Sequence, residues 1–196
     1  MEIKPVVLEG KFVRLEPMSE AHIPALAEIG LGQDFWDFMV YGKMENEKDM
    51  RGWVQDILSR AQRGTDLPFV AVHLASGRVA GATRYLNIVP VDRSLEIGGT
   101  WYGLDFQRTP VNTECKYLLL NHAFETLGCV RVQLKTDARN ERSQKAIERI
   151  GAKKEGVLRK HMILPGGFIR DSVFYSVLDS EWADVKTRLE EMMIKY

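Results

Sequence analysis

Between Leu95 and Gly151 the chain reads strand, loop, helix, strand, helix, and no other stretch restricts the fold as much. Leu95 to Tyr102 has the composition of a strand, and the paired glycines Gly98 and Gly99 inside it predict a bulge or a close backbone approach. A short loop, Gly103 to Pro110, leads to Val111 and Asn112, where a helix begins. Its buried stripe is Tyr117, Leu120, Phe124 and Leu127, and Gly128 closes it. Val130 to Thr136 reads as the next strand, and Asn140 to Ile150 as a shorter helix stopped by Gly151. A strand that feeds a helix start through a short loop aims unpaired N–H groups and the positive end of the helix dipole at whatever fills the loop. That makes an anion site, although every junction of this type shares the geometry whether or not a ligand uses it.

The flanking segments build one domain around this centre. Phe12 to Glu16 alternates like a half-buried strand and stops at Pro17; Ser19 opens a helix with Ile23, Leu26, Ala27 and Ile29 on its apolar side. Gly30 and Gly32 lead into an aromatic loop holding Asp34, Phe35, Trp36 and Phe38. Asn46 and Asp49 mark a second helix, with Trp53, Ile57 and Leu58 buried, running to Arg63 and Gly64. Phe69 to Leu74 and Val79 to Ile88 predict an antiparallel pair turning at Ser76-Gly77. Two strands joined by Pro165-Gly166-Gly167 fill Lys154 to Leu178, and Ser180 caps a last helix carrying Trp182, Val185, Leu189 and Met192. No repeat, linker or composition break interrupts the 196 residues, so a single α/β domain with a mixed sheet over residues 1–196 is expected.

Composition narrows the function classes. The 27 basic and 27 acidic residues leave no net field of the kind that drives nucleic-acid binding by counterion release. No run approaches the ~18 apolar residues of a membrane span. Cys115 and Cys129 lack metal-ligand spacing, and each sits where an inert buried thiol is common. No Gly-x-x-x-x-Gly-Lys-Ser/Thr loop occurs. With a start, Met1 to Pro5, that has neither signal-peptide nor myristoylation character, the expectation is a cytoplasmic protein with no nucleic-acid, membrane or metal partner.

The central residues resemble the GNAT superfamily of acetyl-CoA-dependent N-acetyltransferases, and in particular the branch acting on the N-terminal alanine or serine of ribosomal proteins. The superfamily's pyrophosphate motif, Gln or Arg, two residues, Gly, one residue, Gly or Ala, falls on Gln107-Arg108-Thr109-Pro110-Val111-Asn112, followed by Thr113-Glu114. Its second block, a strand, Asn-x-x-Ser and a helix ending in Gly, appears as Asp137 to Ser143 through Gly151. The resemblance implies a mostly antiparallel mixed sheet of about seven strands, splayed between the fourth and fifth. It also implies acetyl-CoA as co-substrate, with its pyrophosphate on the N–H groups of Arg108, Thr109, Val111, Asn112 and Thr113 beside Gln107. Its pantetheine arm would lie along Thr100, Trp101 and Tyr102, with Asn140 as a further partner. Pro110 stands where the motif has glycine; it offers no N–H, but its fixed φ suits a first helical turn. Arg139, Arg142, Lys145 and Arg149 are expected mostly to form a solvated face, with one or two of them meeting the adenosine 3′-phosphate.

Acetylating an amine requires a neutral nitrogen and a proton for the departing thiolate. Glu96, eleven residues before Gln107, resembles the base of the histone-acetylating members; its structural alternative is a strand carboxylate paired with Arg84 or Arg131. Ser143 matches the serine the ribosomal branch places near the sulfur, the alternative being a cap of its own helix. The tyrosine of many members is Ile147 here, and the glutamate of the ribosomal branch falls on Met162, which shifts the expected base to Glu96; of the four histidines only His161, near the expected cleft, is an alternative base. The expected acceptor is a protein N-terminus or a small amine such as a polyamine, an amino acid or an antibiotic, reached past Asp34, Trp36, Phe38 and the Pro165 to Phe168 turn. A non-catalytic acyl-CoA-binding or interaction module on the same fold is the other reading, and a homodimer stays open.

Overall fold

The computed structural model describes all 196 residues. Eight strands make one sheet: β1 (Leu8–Glu9), β2 (Val13–Pro17), β3 (Leu67–His73), β4 (Val79–Val89), β5 (Ser94–Tyr102), β6 (Arg131–Asp137), β7 (Lys153–Ile163) and β8 (Ile169–Leu178). They lie in the order β1-β2-β3-β4-β5-β6-β8-β7. The eighth strand, beyond the seven expected, is the two-residue β1, which pairs Leu8 with Leu15 of β2. It is too short to carry an alternation signal.

All neighbours are antiparallel except β5 and β6. That pair is parallel and brief, matching Ser94, Leu95 and Glu96 with Arg131, Val132 and Gln133. A parallel pair needs a crossover, here α3 (Val111–Asn121). Past Glu96 the strands part, so the rest of β5 has no partner on its β6 side. The predicted bulge lies in this open part. Ala82 pairs Trp101 and Arg84 pairs Gly98, which leaves Thr83 facing both Gly99 and Thr100. Gly99 has φ +57°, a left-handed conformation that glycine adopts without a Cβ penalty, and such a bulge bends the strand that carries it.

Helices cover both faces. α3, α4 (Glu141–Arg149) and α5 (Trp182–Ile194) press Val111, Leu119, Ile147, Trp182 and Leu189 onto one side, against Tyr85, Ile97, Leu134 and Tyr175. The Tyr85 hydroxyl donates to the Leu119 carbonyl at 2.6 Å, which satisfies both groups in that core. On the other face α1 (Ile23–Gly30) and α2 (Glu47–Gln62) pack Leu26, Met50, Trp53 and Ile57 over β3, β4 and the end of β5. The aromatic segment Asp34–Phe38 folds as a 3-10 turn, with Trp36 wholly buried and its indole N–H on the Gly30 carbonyl. Neither α1 nor α2 contributes to the core beneath β6, β7 and β8, so that end of the face is bordered by loops.

Two helix boundaries differ from the pattern. α3 stops at Asn121, and His122–Thr126 continues as a π-helical turn in which Leu127 N–H reaches the His122 carbonyl. At the last helix Ser180 belongs to a 3-10 turn, Asp179–Glu181, and Glu181 is the N-cap residue of α5.

Candidate active site

The loop between β5 and α3 presents the donor set of an anion cradle. The Gln107 side chain donates to the Tyr102 carbonyl at 2.9 Å and thereby closes the loop on the end of β5. Thr109 Oγ1 donates to the Phe106 carbonyl at 2.7 Å. The N–H groups of Arg108, Thr109, Asn112 and Thr113 meet no acceptor in the chain, and that of Val111 reaches only Thr109 Oγ1, at 3.4 Å. Pro110 holds the N-cap with φ −65°, and its carbonyl accepts from Glu114 at 2.9 Å, so the missing N–H costs the helix nothing. Arg108 is exposed and has φ +61°, which turns the loop at a residue that must bear backbone strain to do so. Of the four basic residues around α4, Arg149 reaches this end of α3: its Nη2 donates to Thr113 Oγ1 at 3.2 Å. Arg139 is taken up by Asp137, and Lys145 pairs with Glu141.

At the bulge, Thr100 Oγ1 is 2.8 Å from Thr83 Oγ1 and accepts from Lys116 Nζ at 2.8 Å. Lys116 is a buried ammonium whose partner is that neutral hydroxyl, and burial lowers its pKa to about 8. It was legible only as a lysine in phase with Leu119 and Leu120. The neighbouring side chains face away from each other: Trp101 stacks on Phe35 and meets Trp36 and Trp53, while Tyr102 enters the α3 core. Both aromatics are therefore packing residues, and what the open edge offers a ligand is backbone.

Glu96 lies on the opposite face from Leu95 and Ile97 and is 2% exposed. Its partner is neither of those expected, since Arg84 pairs with Asp66 and Arg131 with Glu155. Oε2 accepts from Asn87 Nδ2 and Gln133 Nε2, both at 2.9 Å, and from Lys135 Nζ at 3.2 Å. Oε1 accepts nothing and lies over Gly98, so close that a Cβ there would be 3.1 Å from it. Glycine at 98 gives the carboxylate its space, and one oxygen remains available to a proton.

His161 stands in the same region. Its Nδ1 lies 3.0 Å from Ser172 Oγ, and its ring meets the Phe174 edge. Burial, then Lys135 and Arg170, lower its pKa, so it is neutral at pH 7, as a base must be. It is brought there by an irregularity of β7: between Leu158, opposite Ser172, and Met162, opposite Arg170, the strand carries extra residues, and Lys160 has φ +50°.

The helix after Asn140 is capped by Asn140 itself, whose Oδ1 accepts from Ser143 N–H at 3.0 Å. Ser143 is thus not the cap, and its hydroxyl has no partner in the chain. The acceptor-side loops are tied by Arg139, which lies 3.7 Å from the Phe168 ring centroid and 5.7 Å from that of Phe38. Cys115 is buried with its pKa pushed up to about 12, and Cys129 with its own at about 11, which leaves both thiols protonated and inert.

Residues 13–153 match the family model described as an acetyltransferase (GNAT) domain. A solved structure described as a "putative acetyltransferase" from T. thermophilus is 40% identical, with a TM-score of 0.89 over 98% of this chain and 99% of that one. A GCN5-related N-acetyltransferase from Brucella melitensis is 29% identical, with a TM-score of 0.89 over 96% of this chain and 86% of its own. The Bacillus subtilis (strain 168) protein named "Putative ribosomal N-acetyltransferase YdaF" is 34% identical over 113 residues, which span 58% of this chain and 61% of that relative's length.

Proposed function

The chain belongs to the GNAT family of acetyltransferases, and on that premise we propose that residues 1–196 act as one domain that moves the acetyl group of acetyl-CoA to a primary amine within a ternary complex. The observation that carries this reading is the joint placement of three features on one strand: an open edge, a donor cradle at its end, and a half-satisfied carboxylate at its start. Arg108, Thr109, Val111, Asn112 and Thr113 supply N–H groups to the pyrophosphate, and Arg108 and Arg149 supply charge beside it. The backbone of Thr100, Trp101 and Tyr102 takes the pantetheine arm as a strand takes a neighbour. Asn140 keeps its Nδ2 free for the same arm while Oδ1 caps α4.

In the reaction the amine nitrogen attacks the thioester carbonyl, the C–N bond forms, and the C–S bond breaks. Glu96 Oε1 receives the amine proton, and the free Ser143 hydroxyl donates to the leaving sulfur. The amide and CoA leave, and solvent resets both groups. Thermal-shift titration with acetyl-CoA and a thiol-release assay against peptides and small amines test the proposal. A raised melting temperature with turnover supports it; binding without turnover on any amine selects the acyl-CoA-binding module instead.

A further inference from the structure

On the face that carries Glu96, one buried cation has no ion-pair partner while its neighbours do. Arg84 meets Asp66 at 3.0 Å, Lys135 meets Glu96 at 3.2 Å, and Arg139 meets Asp137 at 2.7 Å. Arg170, on β8, has no ion-pair partner although it is only 6% exposed. Its Nε donates to Ser172 Oγ at 2.9 Å and its Nη1 to the Phe38 carbonyl at 3.0 Å, both neutral acceptors. Nη2 donates to nothing in the chain, yet it is not sealed from solvent as the orphaned Arg84 Nη1, Trp101 Nε1 and Tyr102 OH are. A guanidinium is a planar fork suited to two carboxylate oxygens, and leaving one buried and unmatched is expensive.

Ser172, wholly buried, joins Arg170 to His161, and Glu96 and Lys135 act on the same histidine. Arg170 and Glu96 therefore lie on one face of the sheet, close enough for their charges to act on each other. We propose that Arg170 receives a carboxylate of the acceptor while Glu96 receives its amine proton, so that the acceptor is an amine bearing a carboxylate close to its amino group and not a polyamine or other polycation. This rests on the acetyltransferase reading above. A second ammonium on the acceptor would face Lys135 and Arg170, whereas a carboxylate would give Arg170 the ionic partner the chain does not supply. The carboxylate can belong to a free amino acid or to an acidic side chain near a peptide N-terminus; the chemistry at Arg170 is the same.

The test is a thiol-release panel at saturating acetyl-CoA. It holds free amino acids and their amides, peptides whose second residue is Asp, Glu, Ala or Lys, and spermidine. A carboxylate advantage in kcat/KM of about 100-fold over the matched amide is expected, and whichever arm is faster, amino acid or acidic peptide, identifies the source. That advantage should collapse in Arg170→Met and shrink to about tenfold in Arg170→Lys, which keeps the charge and loses the fork. An unchanged acetyl-CoA thermal shift verifies that each variant is folded. Spermidine or the amides reacting as well as the carboxylates, or a carboxylate-to-amide ratio untouched by either variant, overturns the inference while leaving the transferase standing. No thermal shift and no thiol release on any arm overturns both.

Discussion

At the scale of the residue, four side chains give separable outcomes. Glu96→Gln keeps the size of the side chain and removes its basicity, so turnover at pH 7 should fall by roughly two to four decades with acetyl-CoA affinity nearly unchanged. The deficit should narrow at high pH, where more of the amine is neutral; an unchanged rate at pH 7 would return Glu96 to a structural role and leave His161 or water as the base. Ser143→Ala should lower kcat about tenfold or more at almost no cost in stability, because the cap belongs to Asn140. Asn140→Ala should show the complementary loss, about 1 kcal/mol in urea unfolding. Lys116→Met should stabilise the fold by on the order of 3 kcal/mol at pH 7. Burial depresses this group to about 8, below its unfolded value, so at neutral pH the folded state holds a charge it disfavours. A drop in melting temperature for Lys116→Met would show that the Thr100 hydrogen bond outweighs that cost.

At the scale of the element, β5 with its following loop is the working unit. Its bulge requires Gly99, the carboxylate of Glu96 requires the space above Gly98, and its other end requires the turn at Arg108. Arg108→Gly should relieve roughly 1 kcal/mol of left-handed strain and raise the unliganded melting temperature, while weakening acetyl-CoA through the lost charge. Opposite signs in the unliganded and ligand-induced shifts are the readout. α3 is held by a contact that no helical periodicity announces. The buried Glu114 carboxylate accepts the N–H groups of Lys11, Phe12 and Val13 at 2.6 to 2.7 Å and pins the start of the sheet to the helix that bears the cradle. Gly10 lies against it with no room for a Cβ.

Over the whole molecule, titration behaviour follows from which groups are kept neutral. Burial lowers His122, and burial with nearby cations lowers His161, so below pH ~6.5 the unfolded chain takes up these protons first and stability falls with falling pH. Burial raises Cys115, Cys129, Tyr85 and Tyr102, so the unfolded chain loses those protons first and stability falls again as pH climbs past roughly 9. Lys116, lowered to about 8 in the fold, works the other way and adds stability as pH rises from there toward its unfolded value, so melting temperature should climb slightly above pH ~8 before the thiols and phenols pull it down. A Tm still rising above pH ~10 would contradict the burial of the thiols and phenols.

Apart from the two-residue β1, the order of the strands and helices, the Ser76-Gly77 and Pro165-Gly167 turns, the bulge at Gly98-Gly99 and the anion-site geometry of the loop before α3 were legible in the chain, because local periodicity, caps and glycines encode them within a few residues; the candidacy of Glu96 and the motif bounds Gln107 to Asn112 came from the family resemblance instead. What surrounds Glu96 was not. Its partners Gln133 and Lys135 arrive through the parallel pairing of β5 with β6, from 37 and 39 residues further along the chain, and no neighbouring residue marks that meeting. The meeting of His161 and Arg170 on Ser172 depends on a β7 irregularity that breaks strict alternation, the regularity on which strand reading relies. The burial of Lys116, the reach of Arg149 to Thr113 and the release of the Ser143 hydroxyl were decided likewise in the tertiary structure. Burial, pairing and charge balance are properties of space, and only the closed sheet brings the groups that determine them within a few ångströms of each other.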